Sequence, residues 1–464
     1  MFNKRITLFF IFISLILISV YFVLTNKSYI KYKLKNSLSL ISIYSQNYQD
    51  LKEINKNLKI DLNQTNLDTI NIVKEFGYIP FYFQNKKVFS IQNTNYIFNS
   101  FSTKVLTHDK SNDWPEYGTS YIDFYKNKIF LVSGSGIISF VNYNNTMKKK
   151  INFNLINSNI HKLIKYPEFI ATRSSWGIKD ILIKNNKIYL SHSNRVSEDC
   201  SNVQVLVSNL NYEYLDFDLF FEQNNCIEAP DGYQAGGTLV DYGKNKILIG
   251  FGDYQNFKDV RLKSDYLFGK IILVDEITKN FEVISQGHRN PQGIVFLEDK
   301  NIIINTEHGP QGGDEININK LENNELIPDY GWPISSYGEH YGYDAFDSNS
   351  EEYKIAPLHK SHKDYGFIEP IKYFVPSIAI SKIIRIDKNT FLIGSMGNDI
   401  DEGDMSLHQV TFDDKFNQII DHKVIPVYER IRDMIYIQDY NKIIIFGTSN
   451  KSLIFLDINE KKKD

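Results

Sequence analysis

The densest run of chemically capable residues extends from Gly287 to Tyr343. GHRNPQG (Gly287–Gly293) puts a cation, Arg289, and two amides, Asn290 and Gln292, on a turn just before an apolar run. TEHGPQGGDEIN (Thr306–Asn317) ends that run with Glu307 and His308 and then turns irregularly at Gly309 and Pro310, exposing their backbone carbonyls. Asp314 and Glu315 follow as adjacent carboxylates, and hard oxygen ligands of this kind suit calcium. The alternative is a polar surface loop whose carboxylates are satisfied locally, and residue types alone leave both open.

The elements that must position these groups are strands. Six times the chain repeats an apolar run, a tight turn of Lys, Asn or Asp, and a second apolar run: Tyr121–Gly134, Asp180–Ser193, Gly237–Gly252, Gly293–Gly309, Lys382–Met396 and Met434–Ser449. Short branched or aromatic runs bounded by turn residues predict β-hairpins. Val203–Leu210, Gly269–Asp275 and Ser452–Ile458 add third-strand candidates. A unit recurring every ~50–60 residues predicts propeller blades, so the expected fold is all-β, a six-bladed β-propeller over residues 86–464. The interval stretched by Pro333–Val375 is a candidate rim or lid. A long β-sandwich is the competing architecture.

Outside the strands, Ile6–Leu24 is uncharged and long enough to span a bilayer as a helix. No A-x-A cleavage site follows, so residues 1–26 read as a retained transmembrane anchor, and residues 27–85 as a helical or irregular stalk. Lys27, Lys31, Lys33 and Lys35 outnumber Lys4 and Arg5, which by charge alone favours a cytoplasmic body. Cys200 and Cys226 are either one disulfide of an oxidising compartment or two unrelated buried thiols. The 464 residues carry a net charge of −3, which leaves no electrostatic footprint for nucleic acid.

The motifs from Gly287 to Pro333, with ERIRDM (Glu429–Met434) and FVPSIA (Phe374–Ala379), resemble the glucose/sorbosone dehydrogenase family, over roughly Ile160 to Ile458. The resemblance implies a six-bladed propeller that works outside the cytoplasm, uses pyrroloquinoline quinone (PQQ) with calcium, and oxidises a sugar or other small polyol. On that basis the body is expected in the periplasm or an equivalent extracytoplasmic space, tethered by the N-terminal helix. A tricarboxylate quinone calls for arginines, and Arg289, Asn290, Gln292, Ser377, Arg430 and Arg432 fall on the expected cofactor positions. Gly309, Pro310, Asp314 and Glu315 fall on the expected metal positions.

The resemblance also locates departures. GYQAGGTL (Gly232–Leu239) puts Gln234 where the family has its general-base His, and a glutamine amide has no usable proton affinity near neutral pH. Ser175, Gly397 and Val375 stand where the family has a Gln, a Lys and a stacking Trp. His308, His192 and Asp231 are the other base candidates, each more easily read as a structural hydrogen-bonding group. Two readings follow: a membrane-anchored sugar dehydrogenase, or a catalytically silent propeller binding a carbohydrate or protein partner.

Overall fold

The computed structural model describes residues 73–460, apart from 107–118, 165–176, 198, 229–231, 259–264, 322–325 and 343–348. The expected membrane anchor lies outside the described residues, as do most of the stalk, Ser175 and Asp231. Among the described residues, no helix is long and apolar enough to cross a membrane.

The described chain is almost entirely β-structure, in three four-stranded sheets, one of five strands and one of ten, which together form six blades. Their innermost strands are Ser120–Tyr125, Ile178–Lys184, Gly236–Gly243, Pro291–Leu297, Ile380–Arg385 and Ile431–Ile437, here blades 1 to 6. Each inner strand packs beside the next, and blade 6 beside blade 1, so the ring is closed. This is a β-propeller. All six hairpins expected from periodicity are the inner two strands of these blades.

Closure joins the two ends of the described chain. Thr94–Ser102 pairs antiparallel with Ser452–Glu460, from Thr94 opposite Glu460 to Ser102 opposite Ser452, and supplies the outer strand of blade 6. The strand before it, Tyr78–Ile91, pairs with Thr94–Ser102 and with the outer strand of blade 1, Lys150–Ser158. The boundary expected at residue 85/86 therefore falls inside a strand. The last part of the supposed helical stalk belongs to the sheet, because Ile79 and Phe81 alternate into the core.

The apolar interior is divided as the ring is. Six clusters of buried side chains lie one at each junction between neighbouring blades, for example Leu248, Ile271, Leu273, Ile294 and Ile303 between blades 3 and 4. Polar stitches cross the same junctions nearer the axis. Asp123, Asp180 and Asp433 each accept a backbone N–H from the next blade, at Ile183 (2.6 Å), Leu239 (2.9 Å) and Ile122 (2.7 Å). Ser191, Thr238, Thr306 and Ser381 donate to carbonyls across the other junctions and the junction of blades 2 and 3.

One irregularity recurs and matters for function. Where blades 2 to 6 begin, the inner strand slips register against its neighbour. The pairing passes from Ile178 to Asp180, Gly236 to Thr238, Pro291 to Gly293, Ile380 to Ile383 and Ile431 to Asp433. A bulge leaves the extra residue unpaired and re-aims its side chain. The skipped residues are Lys179, Gly237, Gln292, Ser381 with Lys382, and Arg432.

Candidate functional site

Lys179, Gln292, Lys382 and Arg432 all line one cavity of about 220 Å3 on the propeller axis, to which every blade contributes. Blade 1 adds Thr119 and Tyr121, blade 3 the turn from Tyr233 to Gly236, and blade 4 Asn290 and His308. The register slips in blades 2 to 6 thus help build a polar wall around the axis.

The floor of this wall is an ion cluster. Lys382 lies 3.2 Å from Asp180 and 3.5 Å from Asp433. Burial pulls the Lys382 ammonium down, but those two carboxylates outweigh it and hold the group above its ordinary range. Asp180 is pushed up to about 6 by burial, opposed by Lys382 and reinforced by Asp433. Tyr121 is raised to about 12, chiefly by burial.

Above the floor, Gln234 occupies a left-handed conformation, φ +59°. Oriented by its hydrogen-bond network, its amide donates to Asp253 Oδ1 (2.9 Å) and accepts from Arg289 Nη2 (2.8 Å) and Gln255 Nε2 (3.2 Å). The close approach behind it requires glycine, since a Cβ on Gly252 would collide with the Gln234 carbonyl. Asp253 is fully buried and also accepts from Trp332 Nε1 (2.8 Å). Burial raises its carboxyl to about 6, against the pull of Arg289. Gln234, the residue expected in place of a general base, is thus an amide with a buried carboxylate behind it. Asp253 carried no motif-level signal beyond following the Gly-Phe-Gly end of a hairpin.

The arginines separate. Arg289 is buried, donates to the carbonyls of His308 (3.1 Å) and Gly309, and lies against the rings of Trp332 (5.3 Å) and Tyr341 (5.9 Å). Arg432 donates to Gln292 Oε1 (2.9 Å), whose amide nitrogen reaches Asn290 Oδ1 (3.0 Å). Neither guanidinium forms an ion pair with a described carboxylate, and the Nε of each is buried without a partner, as is His308 Nε2. Burial leads, with the charges of Arg432 and Arg289, in lowering the His308 imidazole. Arg430, expected beside them, instead precedes the blade 6 strand, reaches Asn398 (2.9 Å) at an exposed position and does not line the cavity.

The expected metal set does not assemble. Asp314 Oδ1 accepts from Gly309 N (3.0 Å) and Ser377 Oγ (3.1 Å), and Oδ2 from Ile380 N (2.9 Å). It is a brace between two turns, and Ser377 serves that brace rather than the cavity. Neighbouring strand residues face opposite ways, so Glu315 points instead to His362 (3.3 Å) and Asn317 (3.2 Å). Burial raises Glu315 to about 7. The Gly309 carbonyl is taken by Arg289, and nothing gathers Pro310 with these carboxylates. Two further departures have physical causes: a side chain at Gly397 would strike the Asp404 carboxylate, and Val375 is 60% exposed at the rim. His192 is buried off the cavity.

Comparison with known proteins agrees with the fold. A model of the Glucose / Sorbosone dehydrogenase family matches residues 138–454. Aldose sugar dehydrogenase YliI of Escherichia coli is 30% identical over 210 residues, 42% of this chain and 49% of that protein. An uncharacterized protein of Synechocystis, slr1608, is 27% identical over 314 residues, 61% of this chain and 70% of its own. The solved apo-form of the soluble aldose sugar dehydrogenase from Escherichia coli superposes with a TM-score of 0.57 at 19% identity, covering 78% of this chain and 99% of that one. The holo PQQ domain of a pyranose dehydrogenase from Coprinopsis cinerea gives 0.52 at 9% identity, over 80% and 97%. At these identities the solved structures speak to the fold.

Proposed function

The chain belongs to the glucose/sorbosone dehydrogenase family, and from that premise we propose that its axial cavity binds PQQ and oxidises an aldose or similar polyol. One observation carries the reading: Arg432, its Nε orphaned and in no ion pair with a described carboxylate, lines the axial cavity beside Asn290, Gln292 and His308, while Arg289 lines a second pocket that shares His308 with it. A partly buried guanidinium that pairs with no described carboxylate is suited to an anionic ligand, and a flat tricarboxylate supplies one through bidentate contacts. When bound, an ortho-quinone supplies a two-electron acceptor. The residues here would hold it: Arg432 at its carboxylates and Asn290 and Gln292 at polar edges, with Arg289, packed against Trp332, fixing the Gln234 amide at the cavity wall.

Calcium is not part of the proposal. The residues expected to ligate it are committed to backbone N–H groups, to Arg289 or to His362, so no step is routed through a metal.

Placement outside the cytoplasm is supported by the Cys200–Cys226 disulfide, because such bonds persist in oxidising compartments. Together with the apolar run Ile6–Leu24, it favours a body held at the outer face of the inner membrane.

Gln234 favours a second reading, in which the same cavity binds a carbohydrate without oxidising it. The deciding experiment loads the soluble body with PQQ and adds aldoses in the presence of an artificial electron-acceptor dye. Dye reduction supports the dehydrogenase; sugar binding without reduction supports the silent propeller.

A further inference from the structure

Two of the bulged residues aimed at the axis are lysines. Lys382 is clamped between Asp180 and Asp433. Lys179 sits on the cavity wall in blade 2, directly under the turn that carries Gln234: a Cβ added at Gly237 would strike the Lys179 side chain. The register slip at Ile178/Asp180 presents it as those at Pro291/Gly293 and Ile431/Asp433 present Gln292 and Arg432. It is therefore held at the same level as the proposed ligand contacts, beside the residue that occupies the family's base position.

We propose that Lys179 is the proton acceptor of this cavity, its neutral ε-amine taking the hydroxyl proton that Gln234 has no capacity to take. The inference rests on the quinone reading above. In the balanced step the substrate O–H bond breaks and its proton goes to the Lys179 amine. The adjacent C–H bond breaks with both electrons, which leave as hydride for an acceptor of the ortho-quinone class, and the carbon–oxygen bond becomes a carbonyl. Burial first, and the Arg432 charge second, pull the Lys179 ammonium down to about 7, where amine and ammonium are both populated near neutrality. Among the described residues, the titratable groups that share its cavity are Asp180 of its own blade, Tyr121 of blade 1, His308 of blade 4, Lys382 of blade 5, and Arg432 and Asp433 of blade 6, with His192 on the second strand of its own blade.

The first test reads the free protein. Competitive acylation of its lysines across pH, followed by peptide mass spectrometry, should show Lys179 half-reactive near 7, against about 10.4 for ordinary lysines. The second reads Lys179→Arg and Lys179→Met after PQQ loading. Both should keep cofactor uptake and lose about 10²–10⁴ in kcat, with the limb of the pH profile near neutrality gone. A Lys179 that titrates like ordinary lysines, or Lys179→Arg turning over at the parent rate, overturns the assignment alone. Failure of the parent protein to take up PQQ brings down the quinone reading, and the assignment with it; uptake without turnover of any aldose overturns the assignment and leaves the binding reading standing.

Discussion

At the scale of single residues, the site is defined by which groups are committed and which are not. Asp314 is committed: three protein donors surround its two oxygens. Asp314→Ala should cost about 3 kcal/mol in denaturant midpoint experiments, since it leaves buried donors unsatisfied, and chelators should leave the parent melting temperature unchanged. Gln234 is held by Asp253 and Arg289, so a histidine at 234 would meet a buried carboxylate able to orient it. Gln234→His in the Lys179→Met background is expected to restore about 10² in kcat; no recovery would show that position 234 no longer faces the substrate. His192 gives a pH prediction. Burial lowers its folded pKa to about 4, below the unfolded value of about 6.5. Its contribution to stability is therefore full above that unfolded value and lost as pH falls toward 4. Relative to His192→Gln, the parent should lose on the order of 3 kcal/mol over that window, read as the difference between their urea midpoints.

At the scale of elements, the sequence exposes some features and conceals others for definable reasons. The six hairpins are legible because strand periodicity and turn chemistry are local. The bulges are not, because a one-residue register slip leaves composition unchanged while deciding whether Lys179 or Arg432 faces the axis. Motif resemblance points to Asn290, Gln292 and Arg432, which line the cavity, and equally to Arg289 and Arg430, which do not, Arg430 because it lies just before the strand. Asp314 and Glu315 misled as a pair because adjacency in a strand separates side chains rather than joining them. A signal for the polar stitches was present: Asp123, Asp180 and Asp433 each stand third in the similar runs YID, IKD and IRD. The Cys200–Cys226 bond, undecided from sequence, ties the third strand of blade 2 to the segment leading to Gln234. With the cysteines separated by 26 positions in sequence, replacing both by serine should lower stability by about 3 kcal/mol in the loop-entropy account, measured as a shift in unfolding midpoint under oxidising conditions.

At the scale of the molecule, a closed ring explains why polar chemistry gathers on the axis. Six apolar junctions account for the core, and the strand Thr94–Ser102 locks the ring by joining both ends of the described chain in one blade. The inner strands are then free to turn their first residues toward a shared cavity. The central claim is that this cavity is built for a polycarboxylate quinone held by Arg432 with Asn290 and Gln292. The most direct measurement is a calorimetric titration of PQQ, without added metal, into the apo protein and into Arg432→Met. The account predicts one equivalent bound at micromolar affinity or tighter, weakened at least about tenfold by loss of a charge-assisted contact. No uptake by the parent protein, or equal uptake by the variant, would contradict it.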